Sequence, residues 1–432
     1  MKDNFVSKFA YLFSSNMISI LLGVLLSIFI ARYLGPSELG VKSILTNFPL
    51  LFISFFEMGV RQSTVFFIGK DTFNLDRLFS NILSLWGLSS VIGLVSYGIL
   101  SIYQLNNYAI ILIVLSASYI PISIGQSFLN GILIGKNMIK SLAIFNFYNA
   151  LFVPIFTVVF LAVFNLGVFG VLLASQLGSF FLLSTRIWIL KKELNLKFNF
   201  GFDFDIIKSL FSKGVLYAIG LFLSTNLKII PIFMMTGRID NYWIGIYSAG
   251  AAVALLLYNF INSMGPILFA RSAESKDSAE NSGKTQILLR VVIPILSVIA
   301  LLLIMTMKFI IPIMYGDKYN ASIPVTQIMV IGFVFYSVCY FLGMDMAGRG
   351  KPIIQIKSLL LPFILCVIFN YFGVTYFGVV GAAVSTSFAL IIATTSYLYQ
   401  YSKELNIPVL EVIKPRKSDW LFFANQIKSM RK

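Results

Sequence analysis

A lysine stands inside an otherwise apolar segment of this sequence. Lys228 lies in the stretch STNLKIIPIFMM, roughly 12 Å by helical rise from the end of that segment. A lysine at the centre of a membrane span costs about 2.5–3.5 kcal/mol to insert, so a lysine that is kept there often has a function. Binding of an anion is the functional interpretation, and extension of the ammonium group to the membrane surface is the structural one. We predict that Lys228 binds an anionic group.

A carboxylate and a guanidinium are spaced for contact inside another apolar stretch. Glu57 and Arg61 are four residues apart with the acid first, a spacing that favours an ion pair on one helix. Such a pair is either a local ion pair or part of a polar cavity, and the sequence leaves both open. Glu57 is the only acid that we place well inside a membrane span. Arg32 ends a third apolar stretch, where it either joins an anion site or extends to lipid headgroups.

Polar residues recur at helical spacing in four apolar stretches. Polar groups are costly in lipid unless they face a cavity or one another, so their alignment on one face is informative. Close packing of helices through small and polar residues is the structural alternative. Four such stripes, spread over the chain, predict a polar central cavity. The stripes are Asn16, Ser19, Gly23 and Ser27; Tyr119, Ser123, Gln126 and Asn130; Tyr217, Gly220, Ser224, Lys228 and Pro231; and Asn259, Asn262 and Pro266.

The composition is that of a membrane protein. Of the 432 residues, 58% are hydrophobic and 12% are charged, which excludes an ordinary soluble domain. The two cysteines, Cys339 and Cys366, lie in apolar runs, and there is no histidine, so neither a disulfide framework nor a metal site is indicated. We therefore expect no metal and no cofactor. The net charge of +16 reflects a bias of the loops, and we expect no nucleic-acid partner.

Hydropathy and turn signals predict an all-α polytopic protein with twelve transmembrane helices. If the N-terminus is cytoplasmic, the cytoplasmic segments hold 27 of the 33 lysines and arginines, whereas the outer turns and helix ends hold five. This asymmetry predicts that both termini face the cytoplasm. The spans lie near residues 10–32, 42–66, 78–100, 108–134, 141–164, 168–189, 212–236, 242–269, 290–312, 322–346, 355–374 and 378–401.

Matches at nearly constant offset predict two similar halves. The stretch Ser14–Gly40 returns 210 residues later, with Asn16 on Asn226. The pair Gly135-Lys136 matches Gly348-Arg349 at an offset of 213, and GVFG at Gly167 matches GVVG at Gly378 at 211. Six spans in each half give both halves one orientation, so a pseudo-two-fold axis should run along the membrane normal. The predicted domains are an N-terminal six-helix bundle at 1–189, a cytoplasmic linker at 190–211, a C-terminal six-helix bundle at 212–402 and a basic cytoplasmic tail at 403–432.

A series of short motifs resembles the Wzx-type flippases of lipid-linked oligosaccharides, within the multidrug/oligosaccharidyl-lipid/polysaccharide exporter (MOP) superfamily. Each motif is degenerate alone, but their order and the twelve-span layout make the resemblance specific. The resemblance implies two six-helix bundles around a central cavity that work by alternating access. The motifs are ARYLGPSELG at Ala31, FEMGVRQS at Phe56, GIYSAG at Gly245, YGDKYNASIPVTQIM at Tyr315, GRGK at Gly348 and YFGVVGAAVSTS at Tyr376.

The resemblance also implies a substrate and a location. The substrate would be an oligosaccharide repeat unit on undecaprenyl diphosphate, moved from the cytoplasmic to the outer leaflet of the bacterial inner membrane for O-antigen, capsule or exopolysaccharide synthesis. Partners would be membrane lipids and the polymerase and chain-length proteins of the same pathway. Glu57 is the candidate for ion coupling. The residues that we expect to bind substrate are Lys228, Asn16, Asn226, Tyr119, Gln126, Asn130, Tyr217, Arg32 and Arg61.

The sequence departs from the resembled family at one position and leaves other functions to be weighed. Family members often carry an acid beside the basic position of the seventh span, whereas Leu227 precedes Lys228 here, so coupling through such an acid is in doubt. A cation-coupled multidrug antiporter of the same superfamily would need a membrane-buried carboxylate, and the first span has none. A polymerase or ligase would need a large outer loop. The predicted spans leave only short outer loops, so we expect no enzyme. A lipid II flippase usually has fourteen spans, whereas twelve are predicted here.

Overall fold

The computed structural model describes the backbone of residues 2–197, 199–263, 265, 268, 272, 278–416 and 418–419, and their side chains from 17 onward except 139, 278–282 and 284. This part of the chain is helical, with short connections and no strand. The helices are α1 Lys2–Phe56, α2 Val60–Gly69, α3 Leu75–Gln104, α4 Ile110–Ala117, α5 Tyr119–Gly135, α6 Ile139–Val158, α7 Gly167–Glu193, α8 Phe204–Met235, α9 Asn241–Asn262, α10 Ser278–Tyr315, α11 Ser322–Gly348, α12 Ile353–Leu405 and α13 Val409–Ile413. A π-helical turn, Val159–Val163, extends α6, and a 3-10 turn, Asp317–Tyr319, follows α10.

Ten helical segments in the described part of the chain are long and apolar enough to cross a membrane. The chain is therefore an all-α, multi-pass membrane protein. Two of the ten are much longer than the roughly 20 residues that one crossing needs: Met17–Phe56 has 40 residues and Ile353–Leu405 has 53. If each of these crosses twice, the total is the predicted twelve, a count that stays a prediction.

The long helix α12 turns back on itself at Gly378. This glycine has φ 58° and ψ −137°, outside the helical region. The Ser385 hydroxyl donates to the Phe369 carbonyl at 2.7 Å, although sixteen residues along a straight helix would separate them by about 24 Å. Gly373 and Gly381 also touch through their backbones, so a Cβ on Gly381 would lie 1.9 Å from the Gly373 carbonyl oxygen. The segment is thus a pair of antiparallel helices, as the spans 355–374 and 378–401 predict.

The first long helix is interrupted twice. Gly35 has φ 73° and ψ 174°, which ends one helical segment within α1. A second interruption at residues 57–59 separates α1 from α2. The helix within the predicted span 42–66 is therefore broken at these residues. Nothing in the apolar pattern marks this second break, because it is held by contacts with a distant part of the chain.

The backbone repeats locally at the offsets that the sequence matches gave. Helix α5 ends at Gly135 and α11 at Gly348, and each end is followed two residues later by a left-handed residue. Those residues are Asn137 with φ 60° and Gly350 with φ 73°, which are 213 positions apart. The matched glycines Gly167 and Gly378 both have positive φ, 53° and 58°. The local conformations of the two halves therefore agree, and the predicted symmetry axis stays a prediction.

Contacts divide the chain into two compact units, residues 1–248 and 249–432. In the first, α8 packs against α1, and α9 begins against residues 36–40 of α1 through two glycines. A Cβ on Gly40 would lie 1.9 Å from the Asn241 carbonyl oxygen, and one on Gly245 would lie 1.8 Å from that of Pro36. In the second unit, α11 packs closely on α12. The six-plus-six domain boundaries predicted from the repeat stay predictions.

The tail packs on the second unit as far as it is described. Val412 of α13 is fully buried. Arg290 on α10 pairs with Asp419 at 3.8 Å, and its Nη2 donates to the Glu411 carbonyl. Residues 420–432, which hold the WLFF motif, lie outside the described residues. At least part of the predicted basic tail, residues 403–432, is therefore anchored to α10.

Candidate functional site

The break between α1 and α2 is the most unusual backbone feature of the first unit. Helix α1 ends at Phe56 and α2 begins at Val60. Between them Met58 has φ 48° and Gly59 has φ 67°, both left-handed. For a residue with a side chain this conformation costs roughly 1–2 kcal/mol, and such strain tends to persist at functional sites where surrounding contacts hold it. Broken helices of this kind also build binding sites in membrane transporters.

Helix α8 holds the break in place through a glycine pair. A Cβ on Gly59 would lie 2.0 Å from the Gly214 carbonyl oxygen. In the other direction, a Cβ on Gly214 would lie 2.8 Å from the Gly59 oxygen and 2.9 Å from the Met58 oxygen. Both residues must lack a side chain for the two backbones to come this close. The start of α8 thus fixes the position of the break.

The break presents an acid that is held by two partners. Arg61 Nε lies 3.5 Å from Glu57 Oε1, and the Ser127 hydroxyl of α5 donates to the same oxygen. The Glu57 side chain is 16% exposed and that of Arg61 is 35% exposed. The ion pair that the spacing predicts is present, although the two residues lie on either side of a break instead of on one helix. A carboxylate so placed links three helical segments, α1, α2 and α5.

One turn before the acid, α1 is bonded to α8 through an asparagine. Asn226 is fully buried, and its Nδ2 donates to Ser54 Oγ and to the Phe222 carbonyl, both at 2.8 Å. Its Oδ1 is buried without a hydrogen-bond partner, which costs roughly 1–3 kcal/mol for such a group. Asn226 therefore joins α8 to α1 beside Glu57.

Lys228 points to a different side of α8. Two residues rotate the helix by about 200°, so Lys228 and the buried Asn226 cannot share a face. Lys228 and Tyr217 are both half-buried. Of the two polar residues predicted near the middle of this helix, the structure places Asn226 in the contact with α1 and Lys228 away from it.

A buried arginine that no sequence pattern indicated lies among the predicted polar residues. Arg186 of α7 is 4% exposed. Its Nε donates to Asn130 Oδ1 at 2.5 Å, its Nη2 to Asn146 Oδ1 at 3.3 Å and its Nη1 to the Leu182 carbonyl at 2.8 Å. No acid in the described part of the chain is within ion-pair distance of it. Its position just after the uncharged run Ser141–Thr185 was the signal that could have identified it.

The remaining predicted residues are spread through the first unit. Gln126 of α5 donates to the Ser179 carbonyl of α7 at 2.6 Å, so it helps to pack these helices. Tyr119 is half-buried at the start of α5, and Arg32 is exposed before Gly35. The Asn16 side chain lies outside the described residues. The structure thus brings together Glu57, Arg61 and the Asn226 contact, and separately Asn130 and Arg186.

The second unit contains a fully buried acid that the sequence patterns did not indicate. Asp345 is 0% exposed and lies three residues before the end of α11. Its carboxylate accepts from Arg349 Nε at 3.1 Å, the Tyr401 hydroxyl at 2.9 Å, Thr285 at 3.3 Å and Ser272 at 2.5 Å. The four-residue spacing of Asp345 and Arg349 could have identified the pair. This cluster joins α10, α11 and α12.

A metal site needs a cluster of side chains that can bind the ion. Among the described residues, no three or more histidine, cysteine, aspartate or glutamate side chains form a group that could hold a metal ion. Apart from the carboxylates of Glu57 and Asp345, the polar groups described above are amides, hydroxyls, guanidiniums and the Lys228 ammonium group, which suit phosphate and sugar hydroxyl groups.

Comparison with known proteins places the chain in a family. The polysaccharide biosynthesis protein family matches residues 5–276. The chain belongs to this family. The capsular polysaccharide biosynthesis protein CapF of Staphylococcus aureus is 24% identical over 413 residues, which cover 92% of this chain and 99% of CapF. An uncharacterized membrane protein of Methanocaldococcus jannaschii is 26% identical over 297 residues, covering 65% of this chain and 57% of that protein.

The solved structures that this family member resembles are transporters of the MOP superfamily. The lipid II flippase MurJ in an inward closed conformation matches with a TM-score of 0.70 at 18% identity, over 93% of this chain and 89% of MurJ. An inward-facing MATE multidrug resistance transporter matches with a TM-score of 0.67 at 13% identity, over 91% of this chain and 98% of that chain. The fold is therefore that of the MOP-superfamily transporters, and none of these relatives is described as an enzyme.

Proposed function

We propose that this protein is a flippase that moves an undecaprenyl-diphosphate-linked oligosaccharide from the cytoplasmic to the outer leaflet of the bacterial inner membrane. The observation that carries the proposal is membership of the polysaccharide biosynthesis protein family together with a MOP-type transporter fold. Similarity to CapF along nearly the whole chain supports a role in supplying a surface polysaccharide. The cycle is one of alternating access.

The chemistry of the first unit suits such a substrate. A diphosphate carries negative charge, which lysine neutralises as a point charge and arginine binds through its planar fork. Lys228 is half-buried within a membrane helix, where an anion is attracted more strongly than in water. We assign the diphosphate to Lys228, with Arg32 and Arg61 as further cations. Amide, hydroxyl and aromatic groups on α1, α5 and α8 hold the sugars, and the candidates are Asn16, Tyr119, Gln126, Asn130 and Tyr217, together with Asn226 where α8 separates from α1 during the cycle.

Glu57 is the proposed coupling residue. Its carboxylate is shared between Arg61 and the Ser127 hydroxyl at a break in the helix. Binding of a proton or a monovalent cation at Glu57 would weaken its attraction for Arg61 and release this guanidinium toward an anionic substrate. Glu57→Gln should keep the side-chain volume and uncouple transport from the ion gradient.

A deletion strain tests the proposed function. Loss of the gene should remove the surface polymer while lipid-linked repeat units accumulate on the inner leaflet, and glycosyltransferase activity should be unchanged. Normal surface polymer together with raised sensitivity to cationic drugs would instead indicate a multidrug antiporter. A plasmid copy of the gene should restore the polymer, and a copy with Lys228→Glu should not.

Reporter fusions test the proposed orientation. We expect fusions after Asn107, Asn165 and Thr375 to report an outer location, and a fusion after Lys403 to report the cytoplasm. A cytoplasmic signal at Thr375 would be incompatible with both termini being cytoplasmic, because the hairpin turn at Gly378 would then lie on the same side as the helix ends.

A further inference from the structure

The connection between α7 and α8 presents three phenylalanines to its surroundings. It runs from Leu194 to Asp203 outside any helix. Phe200, Phe202 and Phe204 are 80%, 73% and 70% exposed, among the largest exposures of any apolar side chain in the described part of the chain. Phe200 and Phe202 flank Gly201 in the non-helical connection, and Phe204 is the first residue of α8, so the three exposed side chains are spaced two residues apart.

The residues between the phenylalanines attach the segment to α3. The Gly201 amide donates to the Ser80 carbonyl at 3.3 Å, and the Asp203 amide donates to Asn81 Oδ1 at 2.6 Å. Asn81 is 2% exposed and is itself fixed, since its Nδ2 donates to the Arg77 carbonyl at 2.8 Å. One side of the segment is thus bonded to the start of α3, and the phenylalanine side faces away from the protein.

The helix ends on either side locate this segment at a membrane surface. Helices α7 and α8 are both long and apolar enough to cross the membrane, and the connection joins the end of one to the beginning of the other. Asp203 caps α8 by accepting from the amides of Asp205 and Ile206, so α8 begins where the phenylalanines end. Aromatic side chains are stable at such an interface, where the ring enters the acyl boundary and the backbone remains near water.

The charges beside the phenylalanines match an anionic leaflet. Residues 190–213 contain five lysines and three acids. One of the acids, Asp203, is used in capping α8 and lies 4.0 Å from Arg77. The lysines Lys191, Lys192, Lys197, Lys208 and Lys213 therefore leave a positive surface around an apolar one, the combination that binds anionic lipid headgroups.

We propose that Phe200, Phe202 and Phe204 insert into the anionic lipid leaflet at this membrane surface and anchor the connection between α7 and α8. This anchor is independent of the transported substrate. It gives α8, which carries Asn226 and Lys228, a fixed point at its start, held to α3 on one side and to lipid on the other.

Site-directed spin labelling tests the anchor in the full chain. A nitroxide at Phe202→Cys is compared with one at Leu301→Cys, an exposed apolar position on α10, and one at Asn107→Cys, in a connection between helices. Native Cys339 and Cys366 are 3% and 0% exposed, so background labelling of these two cysteines should be low, and wild-type protein serves as the blank. The proteins are reconstituted in vesicles of phosphatidylethanolamine and phosphatidylglycerol, and collision rates with oxygen and a nickel chelate are measured.

Insertion predicts that the label at residue 202 has an oxygen-to-nickel collision ratio clearly above that at residue 107 and below that at residue 301, which lies at the middle of the predicted span 290–312. Labels at Phe200→Cys and Phe204→Cys should behave in the same way, because they are exposed beside it. A ratio at 202 equal to that at residue 107 would overturn the proposal and would leave the phenylalanines as a surface for a protein partner. Each variant changes an exposed side chain, so folding is preserved and either outcome is interpretable.

Discussion

Replacing Gly59 by alanine should disturb the candidate site, because there is no room for a methyl group between the break and α8. Gly59 has φ 67°, so an alanine there must keep a left-handed conformation. Its Cβ would also lie 2.0 Å from the Gly214 carbonyl oxygen, whereas ordinary contact begins at 3.4 Å. The break and the start of α8 must therefore separate by more than 1 Å or the backbone must change.

The two effects can be estimated separately. The left-handed conformation costs alanine roughly 1–2 kcal/mol. Forcing a methyl group into a packed backbone contact costs typically 1–3 kcal/mol. Together we expect Gly59→Ala to lower the free energy of unfolding by about 2–5 kcal/mol.

Two other glycines of the same unit are matched controls. Gly35 has φ 73° and ψ 174°, a region that costs alanine about 1–3 kcal/mol, but no atom lies within 4 Å of the position that a methyl group would take, so Gly35→Ala tests backbone strain at positive φ without a steric contact. Gly98 in α3 is helical and also has open space around it, so Gly98→Ala should stabilise the helix by up to about 1 kcal/mol. Purified variants are heated in detergent and the folded fraction is measured by size-exclusion chromatography. The expected order of midpoints is Gly98→Ala highest, then wild type, Gly35→Ala and Gly59→Ala.

Transport provides the second measurement. Because Glu57 and Arg61 adjoin the break, Gly59→Ala should reduce complementation of surface polymer beyond its effect on protein level. If Gly59→Ala melts at the same temperature as Gly35→Ala and complements equally well, the contact with Gly214 does not hold the break and the reasoning fails.

Two further variants test individual charged groups. Lys228→Ala should nearly abolish transport without lowering protein level, Lys228→Arg should retain partial activity and Lys228→Glu should have the least activity. Polymer complementation measures transport and immunoblots measure protein level. Full activity of Lys228→Ala would mean that the lysine only extends to the membrane surface and does not bind substrate. Asp345→Asn leaves the buried Arg349 without its anion and should destabilise the protein by about 3–5 kcal/mol, whereas Tyr401→Phe removes only one neutral donor and should cost about 1–2 kcal/mol, as measured by thermal unfolding. Equal melting of Asp345→Asn and Tyr401→Phe would mean that the ion pair adds nothing beyond a hydrogen bond.

Helix positions follow from the sequence because lipid imposes a simple rule. A segment that crosses the membrane must be helical and apolar over its length, so hydropathy locates it. The glycines at Gly167 and Gly378 are equally predictable, since a sharp turn between apolar helices needs a residue that tolerates positive φ. Both take that conformation at the repeat offset.

The polar clusters could not be predicted in the same way. Asp345 is held by donors from residues 272, 285, 349 and 401, and only the one on its own helix leaves a spacing signal. The break at Glu57 depends on Gly214, more than 150 positions away, and on Ser127. The repeat match singled out Asn226, but the partner that buries it, Ser54, lies on another helix.

The central claim is that this chain moves a diphosphate-linked oligosaccharide across a bilayer. The most direct measurement uses purified protein in sealed vesicles that contain an undecaprenyl-diphosphate-linked oligosaccharide, with a membrane-impermeant glycosidase added outside. Wild-type protein should make nearly all of the oligosaccharide accessible to the glycosidase, and Lys228→Glu should leave only the half that begins in the outer leaflet accessible. Equal accessibility with wild type, Lys228→Glu and protein-free vesicles would contradict the claim.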